Sequence, residues 1–371
     1  MNSITQAQVS VFRLKRHHFL NTEPADIVTV CRNVCGIQAQ IMASAHLALR
    51  ARLQTIKPGQ IDTALHNTRA LVKTHLMRQT LHLIPSDEFS LYISAMKKRR
   101  FEAVFRIMSQ FSISRTEVDR MNEDVLETLG SSPMTNAELI QRIRPKVSKN
   151  VNNWMDKVWG KFRPALIEGL ICYGPEQGQE VTFVRSDKWL PKQKKVSEAE
   201  SRNILFRRFL AAYGPATIQD FSKWSGLSMP EAKSAKLSAE DDLIEVNVEG
   251  KKALLLRDDY EELTSVSLKN PFLRLIPGFD SYLLAHVNKD HLIPPVNYKR
   301  IYRNQGWISN SVLLNGRIIA VWSYKRSGTR LVVTIEPLRK LSKAIQNEIR
   351  READSLAAFL DLQPELVFMK S

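Results

Sequence analysis

Apolar residues recur at helical spacing through most of the first 270 positions, and they switch to strand-like alternation in short stretches bounded by turn residues. Ser3 with Gln6 has the spacing of a capping box for a first helix, and Thr22 ahead of Pro24 marks the start of a second. Ile27, Val28, Cys31, Val34 and Cys35 fall on one stripe of that second helix, and Gly36 is placed to end it. A further helix fits "HLALRARL", and Pro58-Gly59 opens another that runs to about Asn67. The segment "LVKTHLMRQTLHLIP" carries the apolar and Thr positions of strands and closes at Pro85.

The middle of the chain repeats one order of elements. "MTNAELIQRI" and "WGKFRPALIEGLI" precede a hairpin in "CYGPEQGQEVTFVR", with Gly174-Pro175 and Gly178 in its turn. "RRFLAAYGPATIQDFSKWSGL" and "MPEAKSAKL" then precede "LIEVNVEGKKALLL", whose Glu249-Gly250 turn separates two alternating strands. Helices followed by a basic hairpin make the order of a winged helix, a relative of the helix-turn-helix modules that dock on DNA. The segment up to Pro85 fits a third such unit, and the polar, charged "SDKWLPKQKKVSEAE" reads as a linker between the two clear ones.

From about Pro271 strands dominate. Asn315-Gly316 is a strong hairpin signal and Ser327-Gly328 a second turn, which together predict a three-stranded meander. An amphipathic helix with Leu341, Ile345, Ile349, Ala353 and Leu356 along one side is expected to close the chain. The fold class is therefore α+β: tandem winged-helix units at 1–110, 111–196 and 197–268, then a β-rich domain at 269–371 with its terminal helix.

Charge narrows the partner. Lys+Arg total 54 against 38 Asp+Glu, a net charge of +16, which points to a polyanion. The cations are spread over Lys97–Arg100, Lys192–Lys195, Tyr324–Arg326 and Leu338–Lys340, as expected of a folded surface that tracks a phosphate backbone. Arg317, Lys325, Arg326 and Arg330 around the Asn315-Gly316 hairpin are candidate DNA contacts by charge and protrusion, and a solvated basic hairpin is the alternative. No apolar run approaches the roughly 20 residues of a bilayer helix, and the first residues lack the core of a secretory signal, so a cytoplasmic monomer is expected. The 3 cysteines form no disulfide framework, and Cys31 and Cys35 read as buried thiols.

Catalytic motifs are scarce. The sequence has no Gly-rich phosphate loop, His-Glu-x-x-His, Cys-x-x-Cys or Gly-x-Ser-x-Gly, so no cofactor is expected. His75 and His82 lack a third donor nearby, and Asp280 and Asp290 flank "SYLLAHVNK" without a further sign of pairing. Gln38 and Gln40 in "GIQAQI" remain. If the chain after Gly36 is extended, Ile37, Ala39 and Ile41 face a core while both amides share the other side. Two carboxamides there can orient a water and offer oxygens to a developing cation, or they can satisfy backbone groups near a helix end.

Several segments decide between these readings by resemblance. "GIQAQ", "LVKTHLMRQTLHLIP", "YGPAT", "LIPGFDSYLLAHVNKDHLIPP", "YRNQGWIS" and "LLNGRIIAVW" resemble, in order along the chain, motifs of the AlkZ-type winged-helix DNA glycosylases. The Gln-apolar-Gln triplet at Gln38-Ala39-Gln40 is the most specific of them, and Gln40 separates the chain from the family's Gln-apolar-Asp branch. The resemblance implies three winged-helix units and a β-rich domain around duplex DNA, with Gln38 and Gln40 catalysing release of alkylated purines, some of them in interstrand crosslinks. An N7- or N3-alkylated purine is cationic and leaves as a neutral base, so the enzyme needs only to stabilise the sugar cation and aim a water. Two departures stand out: Gln79 where the family has Gly, and His75 where it has Trp. A winged-helix regulator without activity, or an interaction scaffold, shares the charge and the repeats and lacks only a use for the glutamines.

Overall fold

The computed structural model describes residues 4–20, 25–53 and 55–369. Its strands are β1 Ile37–Gln38, β2 Leu71–His75, β3 Leu81–Pro85, β4 Met134–Thr135, β5 Ile171–Tyr173, β6 Thr182–Arg185, β7 Leu243–Val248, β8 Lys251–Leu256, β9 Leu273–Ile276, β10 Ser311–Leu314, β11 Arg317–Ser327, β12 Arg330–Pro337 and β13 Gln363–Phe368. They form a six-stranded sheet in the order β1-β3-β2-β5-β6-β4, a five-stranded sheet in the order β13-β12-β11-β10-β9, and the β7-β8 hairpin.

Local chemistry explains most of the boundaries. The first helix spans Gln6–Arg16 and is capped by Thr5, whose side chain and that of Gln8 form the reciprocal box. Ser3 lies outside the described residues, as do Thr22 and Pro24. The second helix, Ile27–Asn33, is capped by Asp26, which accepts from Thr29 N. It ends in left-handed geometry at Cys35, and the Gly36 amide then donates to Cys31 O at 2.7 Å. Gly36 is required there: its φ is +95°, and a Cβ would meet Ile84 Cγ2 at 3.0 Å. That turn delivers the chain straight into β1.

The six-stranded sheet crosses residue 110. Its two halves, β1-β3-β2 and β5-β6-β4, meet where Lys73 pairs with Tyr173. Helix Phe89–Ser109 contributes Val104 and Met108 to the core around Met121, Trp154 and Phe183. The same helix gives Phe89 and Tyr92 to another core, shared with Phe206, Phe209, Phe221 and Trp224. The basic stretch after β6 is anchored: Gln193 Nε2 donates to Ser86 O at 3.0 Å and the Arg69 guanidinium stacks over Trp189. It holds neighbours together rather than spacing them apart.

In the C-terminal sheet the predicted meander is present as β10-β11-β12. The amphipathic helix, Lys343–Phe359, buries Ile349, Ala353 and Leu356, with Leu341 just before it. It does not close the chain. It is the crossover that a parallel neighbour requires, and β13 returns beside β12 in parallel register. Pro364 is tolerated in β13 because that strand lies at the sheet edge. No described helix is long and apolar enough to cross a membrane.

Candidate active site

The glutamine triplet begins on an edge strand and leaves it after Gln38. β1 pairs with β3 through Ile37↔Leu83 and Gln38↔His82, and the Ala39 amide extends the ladder to Leu81 O at 2.7 Å. Ile37 and Ala39 are each 1% exposed in the apolar core, whereas the Gln38 and Gln40 side chains find partners outside it. Gln38 is buried and Gln40 is exposed, so the pair has an inner and an outer member.

Each amide has its oxygen pinned by a fixed donor. Arg78 Nη2 donates to Gln38 Oε1 at 3.1 Å, and the Leu81 amide donates to Gln40 Oε1 at 3.3 Å. The second contact has a local cause. Helix Met42–Arg52 starts right after Ile41, so the ladder ends and the Gln40 side chain replaces the missing backbone carbonyl opposite Leu81. A carbonyl oxygen has two acceptor sites, which leaves each glutamine able to accept once more and to donate from its NH₂ group.

Arg78 is a site residue that the sequence reading missed. It occupies the turn of the β2-β3 hairpin, an arginine in an otherwise largely apolar segment, and that placement was its available signal. Its Nη1 donates to Trp224 O at 2.8 Å, tying the turn to the end of helix Ile218–Ser225. Burial pushes its guanidinium down to about 10, so it stays charged at neutral pH. Arg78 and Gln79 both have left-handed backbone, φ 52° and 61°. The family's Gly at position 79 is thereby explained.

Gln38, His82 and Thr74 share one rung of the sheet, all buried. His82 Nδ1 lies 2.9 Å from Thr80 O, which can only accept, so the neutral ring carries its proton on Nδ1 and keeps Nε2 as an acceptor. Burial, reinforced by Arg78, lowers its pKa to about 3. His75, one residue past Thr74, faces the opposite way, accepts from Tyr173 OH at 2.9 Å, and is lowered to about 4 by burial first and then Arg100. The two histidines therefore do not converge. Arg100 Nη1 reaches His75 O at 2.8 Å and Arg163 Nη2 lies 3.4 Å from Gln79 Oε1, so arginines rim the turn.

C-terminal residues flank the triplet. Ser281 Oγ donates to Gly36 O at 3.0 Å, and a cavity of about 290 Å³ lined by Ile41, Ser44, Phe279, Trp307 and Asn310 opens beside the end of the triplet. Asp280 forms a fully buried bidentate pair with Arg52 at 2.7 and 2.8 Å, which locks helix Met42–Arg52 to this segment. Asp290 is exposed and bonds Asn288, so the two aspartates are not a catalytic pair.

The basic hairpin residues separate into two places. Arg317 is exposed at one end of β11, but its Asn315-Gly316 turn is docked: a Cβ on Gly316 would meet Ser10 Cβ and Tyr282 OH at 2.9 Å. Lys325, Arg326 and Arg330 lie roughly 30 Å away along the strand, at the exposed Ser327-Gly328 end. Arg330 also pairs with Glu365 on β13 at 2.9 Å.

A triplet of this form, at the start of a helix and backed by an arginine from a neighbouring hairpin, sits within a chain whose whole length has known counterparts. The family model "DNA glycosylase AlkZ-like" matches residues 31–359. The chain belongs to the AlkZ-like DNA glycosylase family. An "Interstrand DNA cross-link repair glycosylase" of Streptomyces sahachiroi is 31% identical over 353 residues, 92% of this chain and 94% of the relative. The solved structure of Streptomyces sahachiroi DNA glycosylase AlkZ superposes with a TM-score of 0.86 at 26% identity, covering 99% of this chain and 100% of that one. This AlkZ-like chain is thus a DNA glycosylase that acts on N-glycosyl bonds, and the regulator and scaffold readings give way to it.

Proposed function

We propose that this glycosylase releases cationic N7- and N3-alkylated purines from duplex DNA, with Gln38 and Gln40 as its catalytic residues. The observation that carries the reading is the pinning of both side-chain oxygens by Arg78 and the Leu81 amide. Fixed dipoles need no reorganisation when charge develops on the sugar. Gln38 and Gln40 align one water for attack on C1′ through their remaining acceptor and donor sites, and their oxygens face the growing oxocarbenium charge. The departing base takes the bonding electron pair and becomes neutral, so no general acid and no cofactor is required. The proton of the attacking water passes to solvent.

The protein acts in the cytoplasm as a monomer on double-stranded DNA, built from winged-helix units at 1–110, 111–196 and 197–268 and a β-rich domain at 269–371. Arg317 contacts DNA at one end of β11, and Lys325, Arg326 and Arg330 contact it at the other. Because the Streptomyces relative is named for crosslink repair, interstrand crosslinks joined through N7 of purines are included among the substrates. Incubation with a duplex carrying one 7-methylguanine should yield alkali-labile abasic sites, with uracil and 8-oxoguanine duplexes left intact. No release of 7-methylguanine, or equal release of uracil, would overturn the substrate assignment.

A further inference from the structure

The cavity of about 290 Å³ beside the triplet has no part in the chemistry assigned to the glutamines. Ile41, the residue directly after Gln40, forms part of its wall, and Ser44 of helix Met42–Arg52 forms more. Adjacent Cα atoms are about 3.8 Å apart, so less than the length of one nucleoside separates the backbone of the exposed Gln40 from that wall. Another wall comes from a segment tied to the other end of the triplet. Phe279 lines the cavity, and Ser281, just beyond it in the chain, bonds Gly36 O.

The lining suits a nucleobase. The Phe279 and Trp307 rings meet edge to face with centroids 5.3 Å apart, and Trp307 is 51% exposed, which leaves indole surface for a further ring. Phe279 holds its place in left-handed backbone, φ 64°, a conformation that aromatic residues rarely adopt and that functional sites retain. The Gly278 amide donates to Asn310 Oδ1 at 2.6 Å, which fixes that side chain and leaves its NH₂ group to donate to a base edge such as guanine O6. The volume equals that of roughly ten liquid waters, room for a bicyclic base with a short substituent. Trp307 and Arg303 also line an outer cavity with Lys299, so they stand at the mouth. Arg303 and Lys299 are exposed and form no ion pair among the described residues, so both are available to phosphates.

We propose that this cavity receives the alkylated purine, swung out of the duplex, with Trp307 and Phe279 as its stacking wall and Arg303 and Lys299 on the phosphates of the same strand. While bonded to its sugar the purine is cationic, and an indole face attracts a cation more strongly than a neutral ring, so the cavity selects the lesion over normal bases. Once the bond breaks the base is neutral and that attraction ends, which favours release. This rests on cationic purines as substrates and adds to that reading the residues that hold them.

The test uses the full-length protein with 7-methylguanosine, whose base is cationic in slightly acid buffer, and with guanosine, each followed by saturation-transfer NMR. The parent should transfer saturation to 7-methylguanosine and much less to guanosine. Trp307→Ala should abolish the transfer and slow single-turnover excision from a 7-methylguanine duplex roughly 10- to 100-fold, the size of one lost base–aromatic stack, while Trp307→Phe keeps both within a few-fold. Melting temperatures equal to the parent's check that the exposed substitution spares the fold. No transfer with the parent, or a Trp307→Ala variant that binds the nucleoside or excises like the parent, overturns the cavity as the base site. A parent that binds 7-methylguanosine through Trp307 yet releases nothing from the duplex supports the cavity and faults the proposed reaction instead.

Discussion

Arg78, at the turn of the β2-β3 hairpin, holds the side-chain oxygen of Gln38 on the neighbouring edge strand at 3.1 Å. The same guanidinium bonds Trp224 O, so one side chain couples β1 to helix Ile218–Ser225. A lysine cannot do both, because its single ammonium lacks the planar fork. Arg78→Lys should therefore lower excision roughly 10- to 100-fold through misplacement of Gln38. Affinity for duplex DNA at low salt should change little, and an excision rate equal to the parent's would remove Arg78 from the site.

The two glutamines should respond differently to truncation. Gln40 is exposed, and water can replace its contact to Leu81 N, so Gln40→Ala should melt like the parent yet excise roughly 10- to 1000-fold more slowly. Gln38→Ala should show a similar rate loss and, in addition, a stability cost of about 1–2 kcal/mol, because Arg78 loses a buried acceptor. Single-turnover excision and melting curves on both variants separate these effects. A double alanine variant that excises 7-methylguanine at the parent rate would sink the mechanism.

Gln79 carries avoidable strain. Its φ is 61°, and its side chain makes only a long, exposed contact to Arg163, while the backbone oxygen bonded by His75 would survive substitution. Gln79→Gly should stabilise the protein by roughly 0.5–1 kcal/mol, the left-handed penalty less the added flexibility of the unfolded chain. Urea denaturation would detect it as a higher midpoint.

The Arg52–Asp280 pair is expected to be a point of fragility. Both side chains are 0% exposed, and removing Asp280 takes the bidentate carboxylate from the buried Arg52 guanidinium. Asp280→Ala should cost about 3–5 kcal/mol. Because Ser281 follows directly and bonds Gly36 O, activity should fall further than the folded fraction does.

Acid should unfold this protein early. His17, His75, His82, His286 and His291 all have depressed pKa values with burial as the first cause, His75 at about 4 and His82 at about 3. The unfolded chain takes up these protons near pH 6.5 and the folded protein resists them, so each contributes stability above that pH that is lost as pH falls. The loss approaches about 1.4 kcal/mol per pH unit for each ring down to its folded pKa. Melting temperature should drop steeply between pH 6.5 and 5, and a flat profile over that range would contradict the buried neutral rings.

Sequence periodicity by itself determined the helices, the hairpins at Glu249-Gly250 and Asn315-Gly316, and the extended backbone at Ile37-Gln38, because these depend on neighbours a few residues away. It pointed to Gln38 and Gln40 through the family triplet and to a DNA partner through charge. Only the tertiary structure decided what the amides touch. Arg78 lies 40 residues from Gln38, and nothing local announces that a hairpin turn will fold back onto an edge strand. The same holds for β13, whose pairing with β12 depends on a helix crossing the sheet, and for Arg317, which the strand's length carries roughly 30 Å from Arg326. Contacts of long sequence separation are set by which apolar faces bury together, and the cores that join Tyr92 to Phe209 and Met108 to Phe183 made that choice.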